Sequence, residues 1–384
     1  MATPPPHRPL EGLVVADLSR VLAGPYCSML LADLGADVIK VESPAGDDTR
    51  TWTPPETDDG TSTYYLSINR NKRSIVLDFK NPDDLEVARA LLRRADIALE
   101  NFKPGGIDKF GLGYDAVRDD NPGLIYLSIS GFGTDAGASL PGYDLVAQAV
   151  SGLMSLTGEP DGPALRAGIS VFDVMTGLHG LIGVLAALEQ RHRTGDGQHI
   201  EVNLLSSAMS GLVNQTAAFT AGGVVPRRMG NAHPSVYPYQ TMPTADRDVI
   251  ITAANDRQFR ALCGVLGLNS VADDPRFALN ADRTANRDDL HPILVEALSQ
   301  WSADDLFTEL NAAGVPCGPI NSIAEGVELA ERLGLAPRVH VGDGDRGVDL
   351  VRNPIGFSGS KVRYDLPPPR LGEHSDEIRA WLAH

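Results

Sequence analysis

Short apolar runs alternate with longer amphipathic stretches over the first half of the chain. The runs with the length and composition of buried strands are Leu13–Leu18, Ala36–Glu42, Ser74–Phe79, Asp96–Asn101 and Leu124–Ser130. Helical patterns separate them at Pro25–Leu34, at Pro82–Arg94 after an Asn81 N-cap, and at Tyr114–Asp119. Strands separated by helices predict βαβ units and a mostly parallel sheet, which binds ligands beyond the carboxyl ends of its strands.

The pattern changes beyond residues 221–226. Residues 236–253 are rich in strand formers, with a turn at 245–247, and the chain is then helical to about Ala313. This predicts a second, smaller α+β domain. The expected division is a large domain over 1–205, a linker over 206–228, a small domain over 229–320, a linker over 321–345, and a return to the large domain over 346–384, which includes a helix at Ser375–Leu382.

The 384 residues include 33 Lys and Arg against 50 Asp and Glu, which gives a formal net charge of −17. Such a charge argues against nucleic acid and anionic membrane surfaces as partners, because both require a basic face. Hydrophobic content of 42% with 22% charged residues is typical of a globular chain. An anionic substrate would therefore need a basic pocket within an acidic surface.

Targeting signals and cysteine clusters are lacking in the sequence. The first ten residues, MATPPPHRPL, have no apolar core and predict a short disordered lead instead of a signal peptide. Cys27, Cys263 and Cys317 lie far apart, as expected of free thiols in the cytoplasm, and no ligand pair has zinc-finger spacing, so no metal is expected. The apolar stretch Val174–Leu188 is too short to span a bilayer and predicts a buried helix.

Two features follow predicted strands. Gly131–Gly137 (GFGTDAG) approaches a dinucleotide-binding fingerprint, but its third glycine comes one position late and no acidic residue follows at the required distance. A flexible glycine loop is the better interpretation. The basic residues near strand ends are Arg70, Lys72, Arg73, Lys80, Lys103 and Lys109. They form either solvated loops or a set of phosphate contacts facing one pocket.

Asp173 stands at the start of the long apolar helix. It is either an N-cap or a carboxylate nucleophile, whose ionised form a helix N-terminus would favour. Gly168 and Gly177 beside it would let a ligand approach the backbone. His179 is expected to be a satisfied interior residue, whereas His233 lies on a loop between the two predicted domains. The sequence contains no GxSxG, so a hydrolase triad has no local support.

Together these segments resemble the class III CoA-transferases, a group that includes formyl-CoA and carnitine CoA-transferases and the α-methylacyl-CoA racemases. The matching stretches are Leu18–Pro25, Gly35–Glu42, Asn69–Lys80, Glu100–Gly111, Gly142–Met154, the Asp173 segment and Gly195–Val202. The resemblance implies a Rossmann-like large domain, a smaller domain, and two interlocked chains in a homodimer. It also implies acyl-CoA and a carboxylic acid as substrates.

By position, Asp173 matches the family's catalytic aspartate, which attacks the acyl-CoA thioester. The residues expected to contact CoA are Leu22, Ala23, Ser43, Arg73, Leu77, Asp78, Phe79, Lys80, Asn101, Phe102, Lys103, Lys109, Pro141, Gly142, Tyr143 and Asp144. Those expected near the substrate are Gly230, Asn231 and His233. Leu22 replaces a glutamine and Ser43 an arginine of the formyl-CoA/oxalate members, whose glycine-rich lid loop is also missing; these departures argue against oxalate.

Three other functions are weighed against the transferase. Racemases use a histidine thirty positions before the aspartate, where this chain has Tyr143, and a tyrosine with an ordinary pKa near 10 is a poor base at neutral pH. An inactive CoA-binding protein would not need Asp173. A nicotinamide dehydrogenase lacks its fingerprint. The sequence therefore favours CoA transfer from an acyl-CoA to a carboxylic acid.

Overall fold

The structure, a computed structural model, describes residues 8–384, and the chain divides into two compact units. The first comprises the described part up to Leu153, Arg166–Val224 and Ala336–His384. The second comprises Met154–Leu165 and Val225–Leu335. The predicted disordered lead falls mostly on residues 1–7, which lie outside the described residues.

A six-stranded parallel sheet forms the centre of the first unit. Its strands are β1 (Val14–Asp17), β2 (Asp37–Glu42), β3 (Lys72–Val76), β4 (Ile97–Glu100), β5 (Ile125–Ser130) and β6 (Gln198–Asn203). Their order is β3-β2-β1-β4-β5-β6, and every pairing is parallel. The order reverses between β1 and β4, and the crevice beyond the carboxyl ends of two such strands is where open α/β sheets bind ligands.

Helices cover both faces of this sheet. Those of the amino-terminal part are α1 (Ala23–Asp33), α2 (Thr63–Ser67), α3 (Pro82–Arg94), α4 (Tyr114–Val117) and α5 (Asp144–Val150). The short α6 (Leu153–Leu156) begins at the boundary, and its residues after Leu153 belong to the second unit. The next helices of the first unit are α7 (Val171–Thr194), α8 (Leu204–Gly211) and α9 (Val213–Thr220). One apolar core lies between the sheet, α1 and α7, and a second lies between the other face, α3 and the carboxy-terminal helix.

Helix α7 is longer than the predicted apolar stretch. Its 24 residues pass a length-and-hydropathy test for a membrane span, but core helices of soluble proteins also pass that test. Leu181, Val184 and Leu188 are buried against α1 and the sheet, which agrees with the predicted buried helix on that side. The opposite side exposes Leu178, Ile182 and Leu185.

The second unit contains the smaller, antiparallel sheet β7 (Tyr239–Pro243), β8 (Asp248–Thr252) and β9 (Cys317–Pro319). Its helices are α10 (Asp256–Val265), α11 (Asn269–Ala272), α12 (Asn280–Ala285), α13 (Arg287–Leu298), α14 (Ala303–Ala312) and α15 (Ile323–Arg332). The chain then returns to the first unit with the hairpin β10 (Arg338–Val341) and β11 (Val348–Val351), and ends in α16 (Ser375–Ala383).

The predicted fold class is confirmed: a mixed α/β chain with a six-stranded parallel sheet and a smaller sheet. The five predicted strands all overlap observed ones, although the third is predicted two to three residues too late, whereas β6 is not predicted. The division between the units differs from the predicted one. The predicted linker 206–228 contains α8 and α9, which pack on the first unit, and the predicted linker 321–345 contains α15 of the second.

Candidate active site

A cavity of about 160 Å³ lies at the sheet's reversal point, between the carboxyl ends of β1 and β4, and we call it the switch-point cavity. Its walls come from three loops of the first unit. The residues are Arg20–Ala23 after β1, Asn101–Pro104 after β4, Ile129–Gly131 at the end of β5, Leu140–Tyr143, Asp173 and Leu204. The predicted catalytic residue and many of the predicted CoA contacts therefore share one cavity.

Asp173 lies in the first turn of α7, whose N-cap is Ser170. Its own backbone is held from outside the helix, because Asp144 Oδ1 accepts hydrogen bonds from Phe172 N at 2.8 Å and from Asp173 N at 3.1 Å. Asp144 is buried, and Gln148 Nε2 donates to its Oδ2 at 2.5 Å. Gln148 thus fixes Asp144, which in turn satisfies the first N–H groups of α7.

Burial, together with the neighbouring charge of Asp144, raises the pKa of the Asp173 carboxyl to about 7. The sequence predicts that the helix N-terminus favours the ionised form of Asp173. Its pKa is raised instead, because burial and the charge of Asp144 both favour the protonated form. A carboxyl with a pKa near neutrality gains and loses a proton at working pH and is more basic than an ordinary aspartate. Perturbed carboxyls in clefts are typical of functional sites.

Tyr64 lies near Ser170 and Asp173. Burial raises the pKa of Tyr64, and the charge of Asp173 contributes to the rise. The indole of Trp52 meets the Tyr64 ring edge-on, with centroids 5.1 Å apart. Burial of the Asp173 carboxyl is the main cause of its high pKa.

The start of α1 forms the wall of the cavity that faces α7. Leu22, the N-cap of α1, provides no side-chain hydrogen bond to the first turn, and Pro25 has no N–H, so the unused donors at this end of the helix are the N–H groups of Ala23 and Gly24. Gly177 permits the close packing, because a Cβ there would lie 2.6 Å from Ala23 O. The sequence predicts that Gly177 admits a ligand, but it instead accommodates the backbone of α1. A Cβ built at Gly168 would meet no atom within 4 Å.

A second cavity, of about 290 Å³, adjoins the first and shares Arg20 and Phe102 with it; we call it the β1–β3 cavity. It contains the predicted CoA contacts Ser43 and Leu77–Lys80. Phe79 and Phe110 lie with ring centroids 5.4 Å apart and form an apolar wall together with Leu77 and Phe102. Such a wall suits a flat heterocyclic ring.

Two of the six predicted phosphate-binding cations lie inside the protein. Arg70 is buried and binds Asp33 through two bonds of 2.9 and 2.6 Å. Lys72 is fully buried, and its Nζ lies 3.1 Å from Asp17 Oδ2 and 2.9 Å from Pro25 O. These side chains are structural, and the prediction that they face a ligand pocket is wrong, as is the alternative of a solvated loop.

Arg73, a third predicted cation, binds carboxylates of the protein itself. Its guanidinium binds Asp37, with Nε 3.0 Å from Oδ1, and Glu377 at 3.0 Å, and it lines neither cavity. The carboxylates that hold it satisfy its charge and its geometry. A contact from Arg73 to CoA is therefore not supported.

The remaining cations are exposed. Lys80 lines the β1–β3 cavity, Lys103 lines the switch-point cavity, and Arg20 lines both. Arg20 pairs with Asp48 at 3.1 Å on the surface. Lys109 lies on a 3₁₀ turn, Asp108–Phe110, and lines neither cavity. The basic groups available to an anion are thus fewer than predicted.

The segment expected to contact CoA at 141–144 is divided by the structure. Pro141, Gly142 and Tyr143 line the switch-point cavity, whereas Asp144 is turned inward to the backbone of α7. Gly142 packs on Gly131, where a Cβ on either residue would lie 2.5 Å from the other's Cα. The glycine loop after β5 therefore brings two backbones together, which explains the motif without a dinucleotide.

The residues predicted near the substrate, Gly230, Asn231 and His233, belong to the second unit. There Gly230 N donates to Gly158 O at 3.0 Å, and His233 Nδ1 accepts from Ser235 N at 3.1 Å. Their role at the substrate stays a prediction. In the first unit His179 Nδ1 lies 3.0 Å from Ser207 Oγ, so this ring has the partner expected of an interior histidine.

Sequence reasoning missed Arg20, Val21, Tyr64 and Gln148. Arg20 and Val21 lie between the first strand and Leu22, and their position after a strand was a usable signal. Tyr64 and Gln148 gave no local signal, because their partners Ser170 and Asp144 reach them only through the fold. Among residues 8–384, no group of three His, Cys, Asp or Glu side chains is arranged to hold a metal ion.

Comparison with known proteins gives a consistent result. The family model of CoA-transferase family III matches residues 10–375. A succinate–glutarate CoA-transferase of Agrobacterium fabrum is 45% identical, covering 97% of this chain and 96% of that protein. A human succinyl-CoA:glutarate CoA-transferase is 40% identical, covering 97% and 85%. The crystal structure of a CaiB/BaiF family protein from Brucella suis superposes with a TM-score of 0.88 at 46% identity, covering 97% and 99%.

Proposed function

The chain belongs to CoA-transferase family III, and we propose that it moves CoA from an acyl-CoA to a carboxylic acid through covalent intermediates on Asp173. The observation that supports this most strongly is the placement of Asp173. Its buried carboxyl, with a pKa of about 7, faces the free N–H end of α1 across the switch-point cavity. A nucleophile and oxyanion donors are thereby available to one thioester.

The proposed reaction is a chain of acyl transfers. A carboxylate oxygen of Asp173 attacks the thioester carbon, the C–S bond breaks, and CoA thiolate leaves behind a mixed anhydride. The thiolate then attacks Cγ of Asp173 and expels the donor acid, which leaves an aspartyl-CoA thioester. The acceptor carboxylate attacks Cγ and releases the thiolate. Attack of the thiolate on the acceptor's acyl carbon regenerates the carboxylate of Asp173.

Each tetrahedral intermediate in this chain places negative charge on an oxygen near Asp173. The N–H groups of the first turn of α1 and the positive end of its dipole would stabilise that charge. A pKa near 7 supports the nucleophilic role, because the ionised fraction is large at neutral pH while the carboxylate remains basic. The burial of Asp173 would limit the access of water and so protect the anhydride from hydrolysis.

The two adjoining cavities support the binding of CoA. The aromatic wall of the β1–β3 cavity would receive the adenine ring, and Lys80 and Arg20 would meet the phosphates. The pantetheine arm would then pass Phe102, which both cavities share, to reach Asp173. Lys109, which lines neither cavity, has only the family resemblance in its favour.

The substrates we propose are dicarboxylic acids. Relatives at 45% and 40% identity are named for succinate and glutarate, and others for mesaconate and citramalate. An acetyl-CoA:oxalate CoA-transferase of Acetobacter aceti is also 40% identical. Leu22 and Ser43 here stand in the two cavities where formyl-CoA/oxalate members have glutamine and arginine, and they favour the longer acids.

We also propose that two copies form the interlocked dimer that the family resemblance implies. Leu178, Ile182 and Leu185 lie on one face of α7 and are exposed, Ile182 by 63%. Their i, i+4, i+7 spacing makes a continuous aliphatic stripe, which usually marks a protein contact. A second copy would remove this stripe from water.

The test is CoA exchange measured by mass spectrometry across a panel of acyl-CoA donors and dicarboxylic acceptors. We expect succinyl-CoA with glutarate to react, and Asp173→Ala to abolish transfer. Asp120→Ala, which changes an exposed carboxylate away from both cavities, is the matched control and should react as the wild type does. Undiminished exchange in Asp173→Ala, or deuterium uptake at the α-carbon of a 2-methylacyl-CoA without an acceptor, would overturn the proposal.

A further inference from the structure

Val21 adopts a conformation that its side chain opposes. Its φ angle is +69°, in the left-handed region, which a β-branched residue rarely occupies. Such a conformation is strained and persists only where the surrounding structure imposes it. Val21 lines the switch-point cavity and directly precedes Leu22 and Ala23, where α1 begins.

Side chains from other elements hold the backbone around Val21. Asp47 Oδ1 accepts from Val21 N at 3.3 Å, and the buried Lys40 donates to Ser19 O at 3.2 Å. Asn101 binds the residue between them, with Oδ1 2.9 Å from Arg20 N and Nδ2 2.7 Å from Arg20 O. The loop is therefore fixed at successive polar groups before α1 begins.

Lys40 and Asp47 form a buried ion pair, with Nζ 2.8 Å from Oδ2 and both side chains about 1% exposed. Burial alone would lower the pKa of Lys40, but Asp47 holds it above its ordinary value, and Lys40 in turn lowers the pKa of Asp47. Thr49 donates to Asp47 Oδ1 from its backbone N and its hydroxyl, at 3.0 and 2.8 Å. The pair is rigid and ionised, and is suited to hold a strained loop.

We propose that Asp47, paired with Lys40, is a positioning residue that imposes the left-handed conformation of Val21 and so aims the N–H groups at the start of α1 toward the thioester. This inference rests on the proposed function. Asp47 lies outside the switch-point cavity and acts on it through Val21, while Asp47 and Lys40 themselves line the β1–β3 cavity. Without its acceptor, Val21 would relax to a negative φ and turn those donors away from the developing oxyanion.

A double-mutant cycle between Asp47 and Val21 separates positioning from general stability. We expect Asp47→Ala to lower kcat by about 100-fold, since loss of one oxyanion donor costs about 10²–10³, whereas any effect of the changed wall of the β1–β3 cavity on CoA binding should appear in KM. Glycine accepts positive φ without strain, so adding Val21→Gly to Asp47→Ala should recover at least about tenfold in kcat. Thr49→Val, which removes one contact to Asp47 but none to Val21, is the matched control.

Asp47→Ala alone leaves the charge of Lys40 buried and unpaired. The cycle is therefore repeated with Lys40→Met present, so that the Lys40→Met/Asp47→Ala variant has lost both charges of the pair. Crystal structures give a readout that does not depend on turnover: φ at position 21 should become negative in Lys40→Met/Asp47→Ala. If φ stays positive there, or if Val21→Gly fails to rescue kcat in either background, the inference is overturned. A change in φ with no CoA transfer by the wild type would contradict only the proposed function.

Discussion

The carboxylate of Asp144 accepts a hydrogen bond from the backbone N–H of Asp173 at 3.1 Å. One acidic residue thus holds the main chain of another, and their charges lie close enough for Asp144 to raise the pKa of Asp173. The contact fixes where the carboxyl of Asp173 points, and it also adjusts when that carboxyl is ionised.

Asp144→Asn should separate these two effects. The amide keeps an oxygen for Phe172 N and Asp173 N but removes the negative charge, so the pKa of Asp173 should fall. We expect the acid limb of the kcat/KM–pH profile to move to lower pH, with the plateau rate reduced less than in Asp144→Ala. An unmoved acid limb would show that Asp144 does not influence the titration of Asp173.

Wild-type activity should rise with pH through neutrality. Only ionised Asp173 attacks, and its pKa is about 7 because of burial and Asp144. Below pH 7 the value of kcat/KM should fall by about tenfold per pH unit. The profile is measured with acyl-CoA at subsaturating concentration; a flat profile between pH 5 and 8 would contradict the assignment of Asp173 as the titrating nucleophile.

The same shift affects stability with a defined sign. A carboxyl whose folded pKa is raised from 3.8 to about 7 binds more protons folded than unfolded in that interval. It therefore costs stability as pH rises from about 4 to 7. Asp173→Asn removes this cost, so its gain in Tm over the wild type should be larger at pH 8 than at pH 5. An equal gain at both pH values would contradict the raised pKa.

The two kinds of basic residue should behave differently when replaced. Lys72→Met leaves Asp17 buried and unpaired, and we expect a loss of about 3–5 kcal/mol in the free energy of unfolding. Lys80→Ala, at the exposed wall of the β1–β3 cavity, should leave stability within about 0.5 kcal/mol and raise KM for acyl-CoA. Urea unfolding measures the free energy of unfolding, and initial rates measure KM for acyl-CoA. A stable Lys72→Met variant with impaired CoA binding would show that Lys72 binds the ligand and is not structural.

The aliphatic stripe on α7 gives a test of the dimer. Ile182→Arg places a charge at its most exposed position, where a second copy would have to bury it. We expect monomers by light scattering with size-exclusion chromatography. Asp120→Arg, at an exposed position outside α7, is the control. A wild type that is itself monomeric, or an Ile182→Arg variant that stays dimeric, would contradict the proposed contact.

The sequence was informative where apolar periodicity is local. β1 to β5 are buried runs that stand out without any knowledge of neighbours. β6 pairs only with β5, at one edge of the sheet, and alternates His199, Glu201 and Asn203 with apolar residues, so it lacks a continuous run. The approximate position of Asp173 could likewise be predicted, because the sequence shows a carboxylate in the first turn of an apolar helix.

The environment of the site could not be predicted in the same way. Asp33 and Asp17 lie 37 and 55 positions from the basic residues they bind, so nothing local distinguishes Arg70 and Lys72 from ligand-binding cations. The pKa of Asp173 depends on Asp144 and on burial, neither of which follows from its own neighbours. Long-range ion pairing therefore decides which charges remain for a ligand.

In the proposed reaction, the carboxylate of Asp173 carries the covalent intermediates. The most direct measurement is to incubate the enzyme with acyl-CoA and hydroxylamine, which converts an anhydride or thioester at Cγ into a hydroxamate, and to locate the modification by peptide mass spectrometry. We predict a hydroxamate at Asp173 that forms only when acyl-CoA is present. CoA transfer at the normal rate with Asp173 unmodified and another carboxylate labelled would contradict the covalent role of Asp173.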